Sequence, residues 1–595
     1  MTGNQAMTRR GFMHGAAGGA LAAAASLALA ACGGAAATTT TSSHPATAAS
    51  GAGSAPSPAT SAVSAAVSSK SRASATQKGL QYPTYVPFTN APKPDLPATN
   101  VVPAAYYNYP KTLVQAVTAP PGKGDDITAF TGTIGPLPPP LAQSPAWQAV
   151  NKAMNLNLKL NIASNFGDQL IKLSTMVAAG NLTDVFTTGP GVPPIANFPG
   201  FLAAQAADLT PFLSGDAVKE FPNLANIPAF VWKGPGTVFN GKIYGVPLPR
   251  SLYTAHLMAH WEILNQAGIT EMPKNTTDFK KLLQAVNKPS ANVYAIVPGS
   301  TMNGLGAGER GLFPQIFGAP NGWALDASGK LTKDWETPEF KAALGFARDI
   351  YAAGLYHPNS LTYNNVQSDG DFSAGKFALY FGAWNGFSTV YWPTSLRLNP
   401  NAKLGAIDPF SADGKAKPVY YWSSGNFGNT ILKKGNADRV KEVLGMLNFL
   451  ASPFGTVENT LLTYGVKGVD YTFDSAGNPV ANPKGFSNAQ VPWRFIADKP
   501  AVEYNAVKSK EFADVAHTAE LAMGAVGITD PTYALYSATN GSAGVPARQT
   551  IIDGINSIVT GRDPLSSFDA LINDWKSKVG DKIRGEYEDQ LQSSK

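Results

Sequence analysis

Residues Asn157–Thr187, NLKLNIASNFGDQLIKLSTMVAAGNLTDVFT, contain the pattern that decides the fold class. Asn157–Ile162 alternates apolar and polar residues, which predicts a β-strand. Asp168–Ala179 has apolar residues at helical spacing, and Gly180 follows where such a helix would end. Thr183–Thr187 then predicts a short buried strand. A strand, a helix and a strand within about thirty residues predict a βαβ unit with parallel strands, and therefore an α/β fold.

Two further segments extend this α/β pattern toward the C-terminus. Thr337–Ala353 predicts a helix in which Thr337 is the N-cap, Pro338 occupies the first position and Gly354 ends the helix. Ala437–Leu450 predicts a second amphipathic helix. The part of the chain from about Asn100 to Lys595 is long enough for two or three domains.

The N-terminus predicts export and lipid attachment. Arg9 and Arg10 precede the uncharged apolar run Gly15–Ala31, which is typical of a secretory signal and resembles a Tat signal. The run ends in Leu29-Ala30-Ala31-Cys32, which resembles the bacterial lipobox. We therefore expect residues 1–31 to be a signal peptide and Cys32 to carry the lipid. The alternative is an ordinary cleaved signal with a chance cysteine.

Composition divides the rest of the chain into three parts. Residues 32–80 are rich in Ala, Thr and Ser and contain little that could be buried, which predicts a disordered tether. Residues 81–140 are Pro-rich, and we expect them to wrap along the folded body in an extended conformation. The folded domain is then expected at residues 141–595.

Cysteine and charge content exclude several kinds of site. Cys32 is the only cysteine, so the sequence offers neither a disulfide framework nor a thiolate zinc site. Only 14% of the residues are charged, the net charge is +6, and no cluster of Lys and Arg occurs, so a nucleic-acid partner is disfavoured. The 10 Trp, 21 Tyr and 29 Phe residues favour a neutral polar ligand with apolar faces over an anionic polymer.

A series of short segments resembles the motifs of the family 1 extracellular solute-binding proteins of ABC importers, in particular the lipoprotein branch that binds aldouronates and other oligosaccharides. The segments occur in the family's order, although Thr183 stands where the family often has Pro. They are Ala179–Val185, Ala207–Phe212, Asn240–Pro247, His260–Ile269, Thr337–Phe340, Ala353–Tyr356, Tyr464–Tyr471, Ile558–Leu565 and Trp575–Tyr587.

This resemblance implies the fold, the function and the partners. It implies two α/β lobes of the periplasmic-binding-protein type, joined by hinge strands, with a ligand cleft between the lobes. The protein would bind a carbohydrate without catalysis and present it to ABC permease subunits. It would be a monomer without a cofactor or metal, held by its lipid anchor on the extracellular face of the cell membrane.

The candidate ligand-binding residues follow from the same motifs. Most of them follow a predicted strand, Trp422 lies near an expected hinge crossing, and Trp493 and Arg494 lie in a Pro-flanked loop. For each aromatic residue the alternative is packing in the core. The candidates are Asn165, Arg250, Tyr253, Trp384, Asn385, Trp422, Trp493 and Arg494.

Other patterns in the sequence have simpler explanations. Gly306–Gly311 matches GxGxxG, but a long loop separates it from the predicted strand Val293–Val297, so nucleotide binding is disfavoured. His256 and His260 are spaced for one helix face but lack a further metal ligand, and a strand passing into a helix explains them. A secreted hydrolase with two carboxylates and a peptide-binding protein of similar architecture remain open as alternatives.

Overall fold

The stretch Asn157–Thr187 forms a strand, a helix and a strand in the computed structural model, as predicted. The structure describes residues 80–193, 195, 197–297, 305–482 and 485–593. All of them lie within one unit, Ser68–Lys595. The predicted signal peptide, Cys32 and nearly all of the predicted tether lie outside the described residues.

The strands are numbered in the order in which they occur along the chain. They are β1 (Ala104–Ala105), β2 (Asp126–Gly132), β3 (Asn157–Ala163), β4 (Val185–Thr187), β5 (Val238–Phe239), β6 (Lys242–Ile243), β7 (Gly245–Pro249), β8 (Ala255–His260), β9 (Tyr294–Val297), β10 (Trp323–Leu325), β11 (Leu331–Lys333), β12 (Phe377–Ala383), β13 (Leu404–Ala406), β14 (Tyr420–Tyr421), β15 (Asn426–Leu432), β16 (Tyr471–Phe473), β17 (Pro479–Ala481), β18 (Val502–Glu503) and β19 (Gly527–Ile528).

The α-helices surround these strands. They are α1 (Pro145–Met154), α2 (Phe166–Ala178), α3 (Phe198–Gln205), α4 (Thr210–Leu213), α5 (Pro222–Ala225), α6 (Trp261–Gln266), α7 (Thr276–Val286), α8 (Leu312–Ile316), α9 (Pro338–Ala352), α10 (Asn365–Ser373), α11 (Trp384–Gly386), α12 (Trp392–Leu398), α13 (Ala437–Leu450), α14 (Val457–Tyr464), α15 (Gly485–Asn488), α16 (Ser509–Ala525), α17 (Val545–Val559), α18 (Ser567–Trp575) and α19 (Asp581–Ser593).

The first lobe is built on a five-stranded sheet with the order β3-β2-β4-β15-β7. Strand β2 is parallel to both β3 and β4, so the predicted βαβ unit has a third strand inserted between its two strands. Strand β15 is antiparallel to β4 and β7. Because β2 lies at Asp126–Gly132, the segment predicted as Pro-rich and extended, residues 81–140, also contributes a strand to this sheet.

The second lobe is built on a four-stranded sheet with the order β13-β8-β12-β9. Strands β12 and β9 are parallel, and β8 is antiparallel to both β12 and β13. His256 and His260 lie on β8, which passes directly into α6, as the sequence predicted.

Each sheet has its own hydrophobic core. Ile127, Leu158 and Val246 of the first sheet pack with the apolar face of α13. In the second lobe, Leu257 and Leu379 pack with residues of α7 and α9. Because burial of apolar side chains is the main favourable term in folding, two separate cores define two lobes. The two-lobe α/β architecture predicted from the sequence is thus confirmed.

After β2, the chain crosses between the lobes in three places. Residues 250–254 connect β7 to β8, residues 422–425 connect β14 to β15, and residues 498–508 lead from the first lobe to α16. The first two crossings run side by side. The Arg250 backbone N–H donates to the Gly425 carbonyl at 2.8 Å, and the Ser423 N–H donates to the Leu252 carbonyl at 2.8 Å. Paired crossings of this kind form a hinge.

The segment Leu80–Asp125, which we call the strap, contacts both lobes in turn. It first lies on the first lobe, where the Val86 N–H donates to the Ala225 carbonyl at 2.9 Å. It then reaches the second lobe, where Val102 is buried in the core and the Tyr107 hydroxyl donates to Asp514 of α16 at 2.7 Å. It returns to the first lobe, where the Ala116 N–H donates to Glu458 at 3.0 Å.

Candidate functional site

The carboxyl ends of the parallel strands β2, β3 and β4 form one edge of the first sheet. Open α/β sheets bind their ligands at this edge. Asn165 and Phe166 follow β3 at this edge. The exposed Asn165 side chain caps α2, because its Oδ1 accepts a hydrogen bond from the Asp168 backbone N–H at 2.9 Å. This cap fixes the direction in which the chain leaves the strand.

Three phenylalanine rings form what we call the aromatic platform, namely Phe166, Phe427 and Phe495. The Phe166 centroid lies 5.1 Å from that of Phe427 and 5.0 Å from that of Phe495, and the last two lie 5.4 Å apart. Gly132, at the end of β2, makes room for the Phe166 ring, since a Cβ there would lie 2.9 Å from it. The rings of Phe166 and Phe427 remain partly exposed.

Arg250 covers one side of this platform. Its guanidinium carbon lies 5.1 Å from the Phe427 centroid and 5.6 Å from that of Phe495, within cation–π range. Its Nη1 donates to Asp498 Oδ2 at 2.7 Å and its Nη2 donates to the Arg494 carbonyl at 3.1 Å. Burial and the neighbouring Arg494 charge lower the pKa of Arg250 to about 9, so Arg250 stays protonated at neutral pH.

Arg494 is the exposed member of this group. Its side chain is 47% exposed, its Nε lies 3.5 Å from Asp498 Oδ2, and its guanidinium lies 5.7 Å from the Phe495 centroid. The structure thus brings the predicted residues Arg250 and Arg494 together at the platform, while Asn165 directly precedes Phe166 along the chain and its side chain contacts Asp168. Trp493 lies apart from them: it is buried in the first-lobe core, edge-on to Trp147 at 6.1 Å.

Tyr253, Trp384 and Trp422 form a second group, in the core that lies beneath α16 in the second lobe. Trp384 begins α11 directly after β12 and is only 3% exposed. Its ring stacks on Phe387 at 4.7 Å, and its Nε1 donates to Glu520 at 2.9 Å. Ligand contact by Trp384 therefore stays a prediction, since this conformation leaves little of the ring uncovered.

Trp422 is only half-buried and lies on the second crossing. Its carbonyl accepts hydrogen bonds from Asn321 Nδ2 at 2.7 Å and from the Tyr533 hydroxyl at 2.9 Å. Its ring packs against Gly527, where a Cβ would lie 1.9 Å from the indole. The guanidinium of Arg310 in turn lies 5.1 Å from the Tyr533 ring. Tyr533 and Arg310 are thus fixed beside the hinge.

Asn385, the last of the predicted residues, lies on the second lobe with Tyr253. Asn385 is exposed, and its carbonyl accepts from the Thr389 hydroxyl at 3.0 Å. Tyr253 is buried, with its ring 5.7 Å from that of Tyr420. For all eight predicted residues, a role in ligand binding stays a prediction.

Two carboxyl groups, the buried Glu520 and the half-buried Glu503, lie behind Trp384. Burial, together with the nearby Glu503 charge, raises the pKa of Glu520 well above its usual range. Burial also raises the pKa of Glu503 to about 7. The hydrogen bond from the Trp384 indole acts in the opposite sense on the pKa of Glu520, because an N–H donor favours the ionised carboxylate.

Sequence reasoning missed Phe427, Phe495 and Asp498. Phe495 could have been found from its position next to the candidate Arg494, and Phe427 from its position in the polar loop Ser423–Asn429. A surface pocket of about 490 Å³ lies elsewhere, on the second lobe, lined among others by Met272, Pro409 and Phe410. None of the eight predicted residues lines it.

Metal sites and membrane spans are both absent from the part of the chain that the structure describes. No group of three or more His, Cys, Asp or Glu side chains is placed there to hold a metal ion. No helix among these residues has the length and apolar character needed to span a bilayer.

Comparison with known proteins gives consistent similarities. The sequence model of a family described as bacterial extracellular solute-binding protein matches residues 146–460, more than half of the chain. Lipoprotein LipO of Bacillus subtilis (strain 168) is 23% identical over 499 residues, which cover 80% of this chain and 94% of that protein. The polygalacturonan/rhamnogalacturonan-binding protein YtcQ of the same organism is 23% identical over 439 residues, or 71% of this chain and 83% of that protein.

A solved structure shares the fold. The N-glycan transport solute binding protein NgtS from Streptococcus pneumoniae superposes with a TM-score of 0.56 at 16% identity. The match covers 79% of this chain and 99% of that one.

Proposed function

Because the chain belongs to the bacterial extracellular solute-binding proteins, we propose that it captures an oligosaccharide outside the cell and presents it to an ABC importer. The observation that carries this proposal is the aromatic platform with its guanidinium groups at the carboxyl edge of the first sheet. A pyranose ring has a flat C–H face that packs on aromatic rings, and its hydroxyl rim suits Arg and Asn side chains.

The hinge supplies the means of capture. The platform belongs to the first lobe, whereas Trp422 packs against the second-lobe core, Tyr533 donates to its carbonyl and Asn385 lies in α11 directly after β12. A ligand that contacts both groups stabilises the closed arrangement of the lobes over the open one. Its release to permease subunits then requires only that the hinge reopen. The names of the relatives support this proposal, since one is a polygalacturonan/rhamnogalacturonan-binding protein.

Anchoring is part of the proposal. The lipobox Leu29–Cys32 and the similarity to a lipoprotein support attachment of Cys32 to the outer face of the cell membrane. The exchange Cys32→Ser should release the protein from the membrane fraction with its fold intact. Retention of the variant on membranes after a carbonate wash would contradict the lipid anchor. The export route is a separate question, and the double exchange Arg9→Lys with Arg10→Lys tests whether it is the Tat route.

A thermal-shift screen tests binding. The protein beginning after Cys32 is mixed with neutral and acidic oligosaccharides of graded length, and with tripeptides as the competing ligand class. A ligand that binds only the folded state stabilises it by mass action and so raises the melting temperature. The stabilisation is about 2.7 kcal/mol when the free-ligand concentration is a hundred times Kd. The proposal is withdrawn if peptides, but no saccharide, stabilise the protein.

Recovery of the ligand tests whether the protein binds without turnover. The oligosaccharide found in the screen should be chemically unchanged after long incubation with stoichiometric protein. A cleaved product whose formation depends on one Asp or Glu would instead favour the secreted hydrolase.

A further inference from the structure

The side chain of Tyr536 reaches from one lobe to the other. Its backbone belongs to the second lobe, because its N–H donates to Gln590 of α19 at 3.1 Å and its neighbour Leu535 is buried in the second-lobe core. Its ring nevertheless packs against a hydrophobic cluster of the first lobe that includes Phe130 and Ile431 of the first sheet. Tyr536 therefore joins the two lobes without being part of any of the three crossings.

The contact that Tyr536 makes with the first lobe is an aromatic pair. Its ring lies edge-on to that of Phe239, with the centroids 5.7 Å apart and the planes at 80°. This is the T-shaped arrangement that aromatic rings favour. Phe239 in turn lies edge-on to Phe198 at 5.6 Å and is only 6% exposed. The second lobe thus meets a buried ring whose position the first lobe fixes.

The contact lies close to both halves of the proposed site. On the first lobe, the same hydrophobic cluster includes Val192 and Ile195, which follow the carboxyl end of β4. That end belongs to the edge of the sheet at which the platform lies. On the second lobe, Tyr533 precedes Tyr536 by three residues and donates to the carbonyl of Trp422. The two lobes therefore meet at Tyr536 beside the residues that are proposed to hold the ligand.

We infer that Tyr536 is a positioning residue for ligand capture: its ring docks the second lobe on the first lobe at Phe239 and so favours the closed hinge. One aromatic pair changes an equilibrium by about threefold to tenfold, which favours closure and still allows reopening. Retention of a ligand by this contact rests on the proposed function, whereas docking of the lobes does not.

The distance between the lobes tests the docking contact without a ligand. The protein beginning after Cys32 contains no cysteine, so Lys172→Cys in α2 and Arg562→Cys after α17 place one spin label on the surface of each lobe. Dipolar spectroscopy should show one dominant distance when Tyr536 is present. Tyr536→Ala should add a second population of distances and increase the radius of gyration in solution scattering, because the hinge opens.

Two further variants separate docking from a general loss of packing. Tyr351 of α9 is also half-buried, and its ring also lies 5.7 Å from a neighbour, Tyr356, but both rings belong to the second lobe. Tyr351→Ala should therefore lower stability without changing the distance between the lobes. Tyr536→Phe keeps the ring and should keep the single dominant distance.

Binding kinetics test what the contact contributes to capture. Maltotriose and trigalacturonate serve as a neutral and an acidic probe in stopped-flow measurements. Tyr536→Ala should release a bound probe about threefold to tenfold faster while the association rate changes less than about twofold, because closure acts after the encounter. Tyr351→Ala should leave both rates as they are in the unchanged protein.

The outcomes separate the inference from the proposed function. An unaltered distance distribution in Tyr536→Ala overturns the inference, and so does an equal alteration in Tyr351→Ala. A Tyr536→Phe protein that opens as fully as the Ala variant overturns the ring contact as the cause of docking. Open lobes with unchanged probe dissociation overturn the role in capture. If neither probe binds, that result counts against the proposed function, and the distances alone still decide whether Tyr536 docks the lobes.

Discussion

Trp384 and Trp422 lie on the same lobe, but their replacement should affect different properties, namely stability for Trp384 and ligand binding for Trp422. Trp384 is buried, stacked on Phe387 and bonded to Glu520, so Trp384→Ala should cost about 3–5 kcal/mol of stability. Trp422 is half-buried beside the hinge, so Trp422→Ala should weaken ligand binding by about 2 kcal/mol, roughly thirtyfold. Denaturant unfolding and calorimetric titration of both variants distinguish the roles. A Trp422→Ala protein with lowered stability but unchanged Kd would assign this ring to the core.

The raised pKa of Glu520 predicts how the stability of the protein depends on pH. Its pKa is raised in the folded state. Above about pH 4.5, where the unfolded chain has lost this proton, Glu520 therefore takes up a proton when the protein folds. The resulting stability is present below that pH and is lost as the pH rises toward the folded-state pKa, by up to about 1.4 kcal/mol per pH unit. Glu520→Gln removes this dependence.

The stability of Glu520→Gln relative to the unchanged protein should therefore increase between pH 5 and pH 8. Urea unfolding across that range measures it. Burial lowers the pKa of His256 to about 3, so the stability that His256 contributes is lost as the pH falls below about 6.5. This pH dependence is opposite to that of Glu520 and is the same in the variant and in the unchanged protein. A stability difference that does not vary with pH would show that Glu520 is ionised in the fold.

At the scale of elements, Asn165 offers a prediction with a built-in control. Asn165 caps α2 at the platform, and Asn275 caps α7 in the second lobe with nearly the same backbone angles, φ −157° in both. Each accepts from the N–H three residues on at 2.9 Å. Replacement of either by Ala should cost about 1 kcal/mol of stability.

Only the Asn165→Ala protein should also bind the oligosaccharide less tightly, by a few-fold to about tenfold for one lost hydrogen bond. Melting curves and titrations of the two variants supply the comparison. Equal Kd values in both would limit Asn165 to its capping role.

Local patterns were enough to predict most elements but not their assembly. Helix α13 has the predicted bounds, and Thr337 caps α9 as expected, because capping and periodicity act within a few residues. Strand β2 was missed because its neighbours are Pro-rich. The aromatic platform was missed because Phe166, Phe427 and Phe495 meet only after the sheet has formed. The local sequence around each ring does not predict these contacts.

At the scale of the whole molecule, the strap adds to the three crossings that join the lobes. Its middle part buries Val102 in the second lobe, while Tyr109, a few residues on, is 1% exposed and its hydroxyl lies 2.7 Å from that of Thr460 in the first. Strand β1 of the strap also pairs in parallel with β18 of the third crossing. The strap thus buries side chains against both lobes.

Removal of the strap should therefore change how the lobes unfold. The protein that begins at Leu80 should melt in one transition whose calorimetric and van't Hoff enthalpies agree, because the strap packs against both lobes. A protein that begins at Lys123 loses the buried side chains Val102, Tyr106 and Tyr109 but keeps every strand of both sheets. Its first and second lobes should then unfold separately, in two resolved transitions. A single transition in the shortened protein, only shifted to lower temperature, would mean that the three crossings alone couple the lobes and that the strap contributes packing but no coupling.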